Sequence, residues 1–286
     1  MRLAYLILAH AAPAQLARLI GRLAAPGVRV YVHVDANTPA DVFAEMQALA
    51  PAGTVFIARR PCRWGGFSLV DATLDLMRAA RADGCDWLVL LSGADYPIKP
   101  HADIVARLEQ GDVAGYLDLR SEAEFDVCYR WQAWHPESLN GRPAGRALQK
   151  LQRGLRRLGV RRRLPAPLAA VWAGSQWWCL RHDAADAVLN YCHEYPRTVA
   201  FFRCTLVPDE MFVQTVLMHT GLAGRLVRDP LRHLVWAPGA WSPATLTESD
   251  LPALLASDAL FARKFAGDGV LTTQLDAALN ARATTI

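Results

Sequence analysis

Apolar positions along the chain follow two periods in turn. Short continuous runs or strict alternations give way to stretches in which apolar residues recur three or four apart, the pattern of strands alternating with helices. Residues 3–8 form the first apolar run, and 14–23 carry Leu16, Leu19, Ile20 and Leu23 on one helical face. In Val28–Val34 the valines alternate with Arg29, Tyr31 and His33, which predicts a second strand ending at Asp35. A helix over 41–49 and a strand over 55–58 follow. The helix over 68–82 has Leu69, Ala72, Leu76 and Ala79 as its stripe and Ser68 as its N-cap. After a buried strand at 87–91 come a helix over 102–109 and a strand over 113–117 that leads into Asp118. Residues 121–137, rich in aromatics, match neither period; they are a candidate acceptor-facing wall or lid. Further along, the pattern predicts helices over 144–160, 182–195 and 208–220 and a strand over 174–180. Trp177 and Trp178 point to opposite faces of that strand.

The run at 87–91 organises the rest. It is apolar throughout, as in a parallel strand covered on both faces, and it breaks into Ser92-Gly93-Ala94-Asp95 before Pro97 and Pro100. Open α/β sheets bind ligands outside the carboxyl ends of such strands. Asp95 is therefore either a site carboxylate or a group that hydrogen-bonds its own turn. His10 stands at the corresponding end of the first strand. Asp35 follows the second, where nucleotide-binding folds place a carboxylate on ribose or base. There is no Gly-x-Gly-x-x-Gly after the first strand and no Gly-Lys-Ser/Thr loop, so the usual Rossmann and P-loop phosphate cradles are excluded.

Composition narrows the class. With 286 residues, 52% hydrophobic and 20% charged, the chain is globular, long enough for one large α/β domain or two small ones. The net charge of +4 hides an asymmetry: residues 142–163 hold eight Arg, one Lys and no acid, leaving −5 for the remainder. That argues against a general nucleic-acid binder. Leu148, Leu151, Leu155 and Leu158 make a helical stripe within this basic segment, which fits a helix on an anionic membrane, a helix offering Arg to an anionic substrate, or a solvated surface helix. Six cysteines lack Cys-x-x-Cys or zinc-ligand spacing and read as reduced thiols of a cytosolic protein. The N-terminal run, only seven residues before His10, reads as a strand rather than a signal peptide, and no run approaches a membrane span.

Three further clusters carry candidate chemistry. Arg59 to Ser68 is an Arg- and Gly-rich loop in which Trp64-Gly65-Gly66 can let a ligand approach the backbone. Pro208-Asp209-Glu210 opens the predicted helix over 208–220. There the helix dipole favours ionised carboxylates, so each is either a general base or a dipole partner. Near the C-terminus, Ser257 is a candidate N-cap for a segment with Phe261 and Phe265 buried, and its neighbouring cations Arg263 and Lys264 can hold a diphosphate or serve as surface charge.

Taken in order, His33-Val-Asp35, Trp64-Gly-Gly, Leu91-Ser-Gly-Ala-Asp95-Tyr-Pro, Gly174-Ser-Gln-Trp177, Pro208-Asp-Glu210 and Phe261-Ala-Arg-Lys264-Phe resemble the core-2/I-branching β-1,6-N-acetylglucosaminyltransferase and peptide O-xylosyltransferase family. The resemblance spans residues 3 to 265. It implies a single GT-A-type α/β domain over 1–286: a mixed, mostly parallel sheet with helices on both faces, 141–165 as a basic helical insertion and 225–286 closing the donor site. It also implies inverting, metal-independent transfer of N-acetylglucosamine or xylose from a UDP-sugar to a glycan or lipid-linked glycan hydroxyl. The UDP-sugar is a co-substrate, and no cofactor or metal is expected; the chain has no Asp-x-Asp.

By the same resemblance Glu210 is the catalytic base, Asp35 contacts uridine and Lys264 takes over the metal's role. His10, Trp64, Asp95 and Arg263 complete the donor set, and Trp177, Asp209 and Trp131 face the acceptor. The family's partner Arg has no counterpart near Trp241, so Arg263, Arg232 or Arg228 would have to substitute. The competing readings are a metal-dependent transferase using Asp95 and a non-catalytic membrane- or glycan-binding module. The expected location is cytoplasmic, on the inner membrane face if residues 144–160 touch lipid.

Overall fold

A computed structural model describes residues 1–240 and 242–283. Its strands are β1 (Leu3–Ala9), β2 (Val28–Val34), β3 (Val55–Phe56), β4 (Trp87–Ser92), β5 (Asp95–Pro97), β6 (Gly115–Leu117), β7 (Arg120–Ser121), β8 (Trp172–Ala173), β9 (Trp178–Arg181), β10 (Leu226–Val227), β11 (Arg232–Leu234) and β12 (Phe261–Arg263). Its helices are α1 (Pro13–Leu23), α2 (Ala40–Leu49), α3 (Ser68–Ala82), α4 (His101–Leu108), α5 (Cys128–Trp131), α6 (Pro143–Arg157), α7 (His182–Glu194), α8 (Pro196–Phe202), α9 (Phe212–Met218), α10 (Leu251–Ala256) and α11 (Val270–Ala283).

The main sheet has seven strands in the order β10-β6-β9-β4-β1-β2-β3, mostly parallel with β9 antiparallel between β6 and β4. The continuous apolar runs follow from burial on both faces. Leu3, Tyr5 and Ile7 face Leu16, Leu19 and Leu23 of α1, while Ala4 and Leu6 face Val70, Leu74 and Met77 of α3. The fold class is the mixed α/β arrangement read from the sequence.

Strand order reverses at β1, since β2 and β3 lie to one side and β4 to the other. This is the switch point where open sheets form a ligand crevice. Here the Asp35 N–H donates to the Ala9 carbonyl and the Gly93 N–H to the Leu8 carbonyl, 2.9 Å each, so the ends of β1, β2 and β4 are locked side by side.

Several local expectations are corrected. Ser257 is no N-cap: it is the C-cap of α10, and the Arg263 segment is the strand β12, antiparallel to β5 with Arg263 opposite Asp95. Phe261 and Phe265 are buried as expected, but sheet pairing does the burying. Ser68 does not cap α3; Phe67 holds that position, and the Ser68 hydroxyl bonds to Glu137 instead. The helix predicted over 208–220 is split. Pro208–Glu210 is a 3-10 turn, Met211 leaves helical geometry at φ −140°, and α9 starts at Phe212. Residues 174–177 are loop, with β9 starting at Trp178. The predicted leucine stripe is split: Leu148 and Leu155 are half-buried, whereas Leu151 is 61% exposed and Leu158, just past α6, is 79% exposed.

Gly174 links the sheet to the split helix. Its N–H donates to the Glu210 carbonyl at 2.9 Å, and a Cβ there would stand 2.0 Å from the Asp118 carbonyl oxygen. Gly174→Ala must move backbone, so we expect a loss of about 1–3 kcal/mol in unfolding free energy by urea titration, as for overpacked cores.

Candidate active site

One half of the candidate site is built on the ends of β1, β2 and β4. The Asn37 and Cys62 N–H groups donate to Asp35 Oδ1 at 2.9 and 3.0 Å, which holds the carboxylate at the crevice. Its Oδ2 accepts nothing from the described residues. Arg59 reinforces the turn by donating to the Asp35 carbonyl at 2.8 Å. Buried His33 accepts the Arg60 N–H on Nε2 at 2.9 Å, and burial lowers its pKa. His10 is exposed just past β1, and its carbonyl accepts from the Thr38 hydroxyl at 3.0 Å.

Asp95 is fully buried, and it does bond its own turn. Its Oδ1 accepts the Ser92 hydroxyl at 2.7 Å and its Oδ2 the Ser92 N–H at 3.0 Å. It also faces Arg263, whose Nε lies 3.5 Å from Oδ1. The Arg263 side chain is 12% exposed, with its guanidinium 4.4 Å from the Trp177 ring centroid. Of the two alternatives raised for Asp95, the structure shows the turn-bonding one, and the same carboxylate faces Arg263. Lys264 follows. Burial and the Arg263 charge lower its pKa, while Asp95 opposes the shift.

The other two candidate arginines are committed elsewhere. Arg232 is buried, donating to the Leu90 carbonyl at 3.0 Å and the Pro230 carbonyl at 2.9 Å. Arg228 pairs with Glu124 at 3.1 Å and lies over Trp172. Arg263 is the one placed beside Lys264. Trp241 lies outside the described residues.

The second half of the site is the Pro208–Glu210 turn. Val207, which precedes it, has φ +52°, an uncommon conformation for a β-branched residue that costs free energy and is held by its surroundings. Its N–H donates to the Gly65 carbonyl at 3.0 Å, tying the turn to the Trp64 loop. Glu210 accepts Arg130 Nη1 at 2.7 Å. Asp209 differs sharply. Its Oδ1 is buried without a partner. Burial first, then the Glu210 charge, pushes its pKa up to about 7, against backbone hydrogen bonding and Arg130. Two adjacent carboxyls are thereby separated in character, one proton-holding and one ion-paired.

The Trp64 loop is not an open backbone approach for a ligand. Glu137 fills that place: a Cβ on Gly66 would lie 2.2 Å from its carboxyl carbon, and its Oε2 accepts the Ser68 N–H at 3.0 Å. Trp64 itself is 76% exposed at the rim. Trp131 is buried rather than at the surface. It is 8% exposed, packs against Phe201 and donates its indole N–H to Glu122. Arg130, its neighbour, escaped the sequence reading; a lone Arg in an unassigned stretch carries no periodic or motif signal. Among the described residues no three His, Cys, Asp or Glu side chains converge in a way that could hold a metal ion.

The profile of the Core-2/I-Branching enzyme family matches residues 3–255, and the chain belongs to that family. Among known proteins it is similar to Xylosyltransferase 1 of Canis lupus familiaris, 27% identical over 246 residues, covering 82% of this chain and 24% of that one. It is also similar to the human beta-1,3-galactosyl-O-glycosyl-glycoprotein beta-1,6-N-acetylglucosaminyltransferase, 25% identical over 221 residues, covering 75% of this chain and 48% of that one. The chain thus spans a quarter to a half of these relatives. Among solved structures, core-mannan synthase A from Aspergillus fumigatus in its Mn/GDP form aligns over 79% of this chain and 72% of its own, at TM-score 0.43 and 8% identity.

The raised Asp209 pKa has a direct consequence for stability. The folded state keeps this proton to about pH 7, whereas an unfolded Asp releases it near about 4. Wild-type stability therefore falls as pH rises through that window. Asp209→Asn removes this dependence. Unfolding titrations are expected to show the variant gaining on wild type from about pH 4 to about pH 7; a constant difference would contradict the assignment.

Proposed function

We propose that this protein is an inverting, metal-independent glycosyltransferase of GT-A type that moves N-acetylglucosamine or xylose from a UDP-sugar to a glycan hydroxyl. One juxtaposition carries the reading. The short segment Gly174 to Trp177 touches both halves of the site: Gly174 holds the Glu210 backbone, and Trp177 lies against Arg263. The Glu210 backbone and the Arg263 guanidinium thus contact the two ends of one short segment, which supports a reading in which a carboxylate base and a pair of cations serve one site. The relatives' names support the two donor sugars.

UDP lies over the ends of β1 and β2, with Asp35 Oδ2 directed to uridine and His10 and Trp64 at the rim. Lys264 and Arg263 offset the charge that grows on the diphosphate as the glycosidic bond breaks, a preorganised electrostatic contribution. Arg263 is held for this by Asp95 and Trp177. Glu210 takes the proton from the acceptor hydroxyl as that oxygen attacks the anomeric carbon from the face opposite UDP. Arg130 fixes the Glu210 carboxylate, and burial, which pushes the Asp209 pKa up to about 7, lessens the negative charge beside it. Trp177 faces the acceptor side of the sugar. The commitment of both Asp95 oxygens to Ser92 favours an anchoring role over metal ligation.

Two measurements test this. Glu210→Gln is expected to lower kcat by about 100-fold to 10,000-fold, the usual contribution of a general base, while UDP affinity stays near wild type; near-normal turnover at saturating substrate would refute the role. Calorimetry with UDP, UDP-N-acetylglucosamine and UDP-xylose in EDTA is expected to show binding that Lys264→Ala weakens about tenfold or more. The tighter sugar names the donor. Binding absent in EDTA and restored by manganese would overturn metal independence.

A further inference from the structure

We propose that α6 is a docking surface for an anionic lipid bilayer. At about 100° per residue the helix divides into three faces. One packs on the protein through Gly145 and Gln152. A Cβ on Gly145 would lie 2.2 Å from the Leu139 carbonyl oxygen, and the Gln152 amide brackets the Trp134 backbone, donating to its carbonyl at 2.8 Å. The second face is apolar and faces water: Leu151 and Leu158 are among the most exposed large apolar side chains of the molecule. The third carries Arg146, Lys150, Arg153 and Arg157, all exposed. None of these four is in an ion pair among the described residues, and residues 142–163 contain no acid at all.

Sequence amphipathicity and packing thus disagree on this helix. A helix that only packed on the core would turn its leucines inward. This one instead anchors through a small residue and an amide and leaves leucines and cations side by side in solvent. A soluble polyanion has use for the cations but none for the leucines. A partner helix would bury the leucines but leave the cations uncompensated. An anionic bilayer takes both: leucines at the acyl boundary, guanidinium and ammonium groups among phosphates.

Nearby features extend the surface. Trp134 is exposed beside the helix, and a notch of about 40 Å³ between Trp134, Leu139, Arg142 and Arg146 is sized for part of a headgroup. The anchoring is firm, because Arg162 just past the helix donates to the carbonyls of Ala133, Phe201 and Cys204. Arg162 thereby fastens the segment around Ala133, which also carries Arg130, the partner of Glu210.

The test uses the whole protein in sedimentation with phosphatidylcholine vesicles containing about one-third phosphatidylglycerol, against pure phosphatidylcholine, at about 0.1 M salt. Binding to the anionic vesicles is expected to be at least about tenfold stronger, each cation contributing about fivefold. Leu151→Ser/Leu158→Ser and Arg153→Glu/Arg157→Glu are each expected to lose about tenfold or more, with unchanged thermal midpoints because these side chains contact no core. Absence of vesicle binding, equal binding to neutral vesicles, or a leucine variant that binds like wild type would each overturn the proposal. The last outcome would mark a site for soluble polyanions. A dimer that the leucine variant converts to monomer, without vesicle binding, would assign the face to a second copy. No nucleotide sugar enters the assay, so its outcome stands apart from the catalytic reading.

Discussion

The buried pair of Asp95 and Arg263 is the constraint on which the crevice depends. Asp95 is fully buried at the end of β4, and Arg263 sits opposite it in the β5–β12 register. Removing either partner would strand a charge in a low-dielectric setting, which typically costs about 3–5 kcal/mol. The pair therefore holds β12 against β5, and with it the turn that delivers Lys264. The flat face of Trp177 completes the support for the guanidinium. A cation placed this way has its position fixed by folding.

The Glu210 turn is assembled differently, from loops that hold one another. Glu210 owes its place to three contacts from distant segments: Gly174 on its carbonyl, Arg130 on its carboxylate and Gly65 on Val207 just before the turn. Glu137 fastens the loop that contains Gly65. Such a turn, started by a positive-φ valine, has little intrinsic preference for its shape and keeps it through these neighbours. Asp209 and Glu210, adjacent in sequence, then acquire opposite character because one carboxyl points inward and the other toward an arginine.

These two constructions meet at the switch point of a sheet covered on both faces. The two-sided burial explains why β1 and β4 read as unbroken apolar runs, and why the polar residues that end them collect on one edge. α6 stands outside this economy of burial, since its leucines serve neither core.

Much of this was legible in the chain itself. The alternation of strand and helix patterns and the strand ends carrying Asp35 and Asp95 follow from local pattern, while the family, and the attention to Glu210 and Lys264, follow from the resemblance of six motifs in order. Local pattern failed wherever a distant segment decided the outcome. The 257–265 stretch looked like a capped helix and became β12, because β5 and β11 offered it backbone hydrogen bonds. Ser68 was drawn from its capping position by Glu137, and Trp131 from the surface into the core by Phe201 and Glu122. Arg130 carried no signal until folding set it beside Glu210. Periodicity and turn chemistry act over a few residues, and they determined the elements and where their ends would lie. Which cation meets which carboxylate depends on contacts between residues tens to more than a hundred positions apart, and which face of α6 meets water depends on its packing against the loop around Trp134 and Leu139; only the tertiary structure decides those.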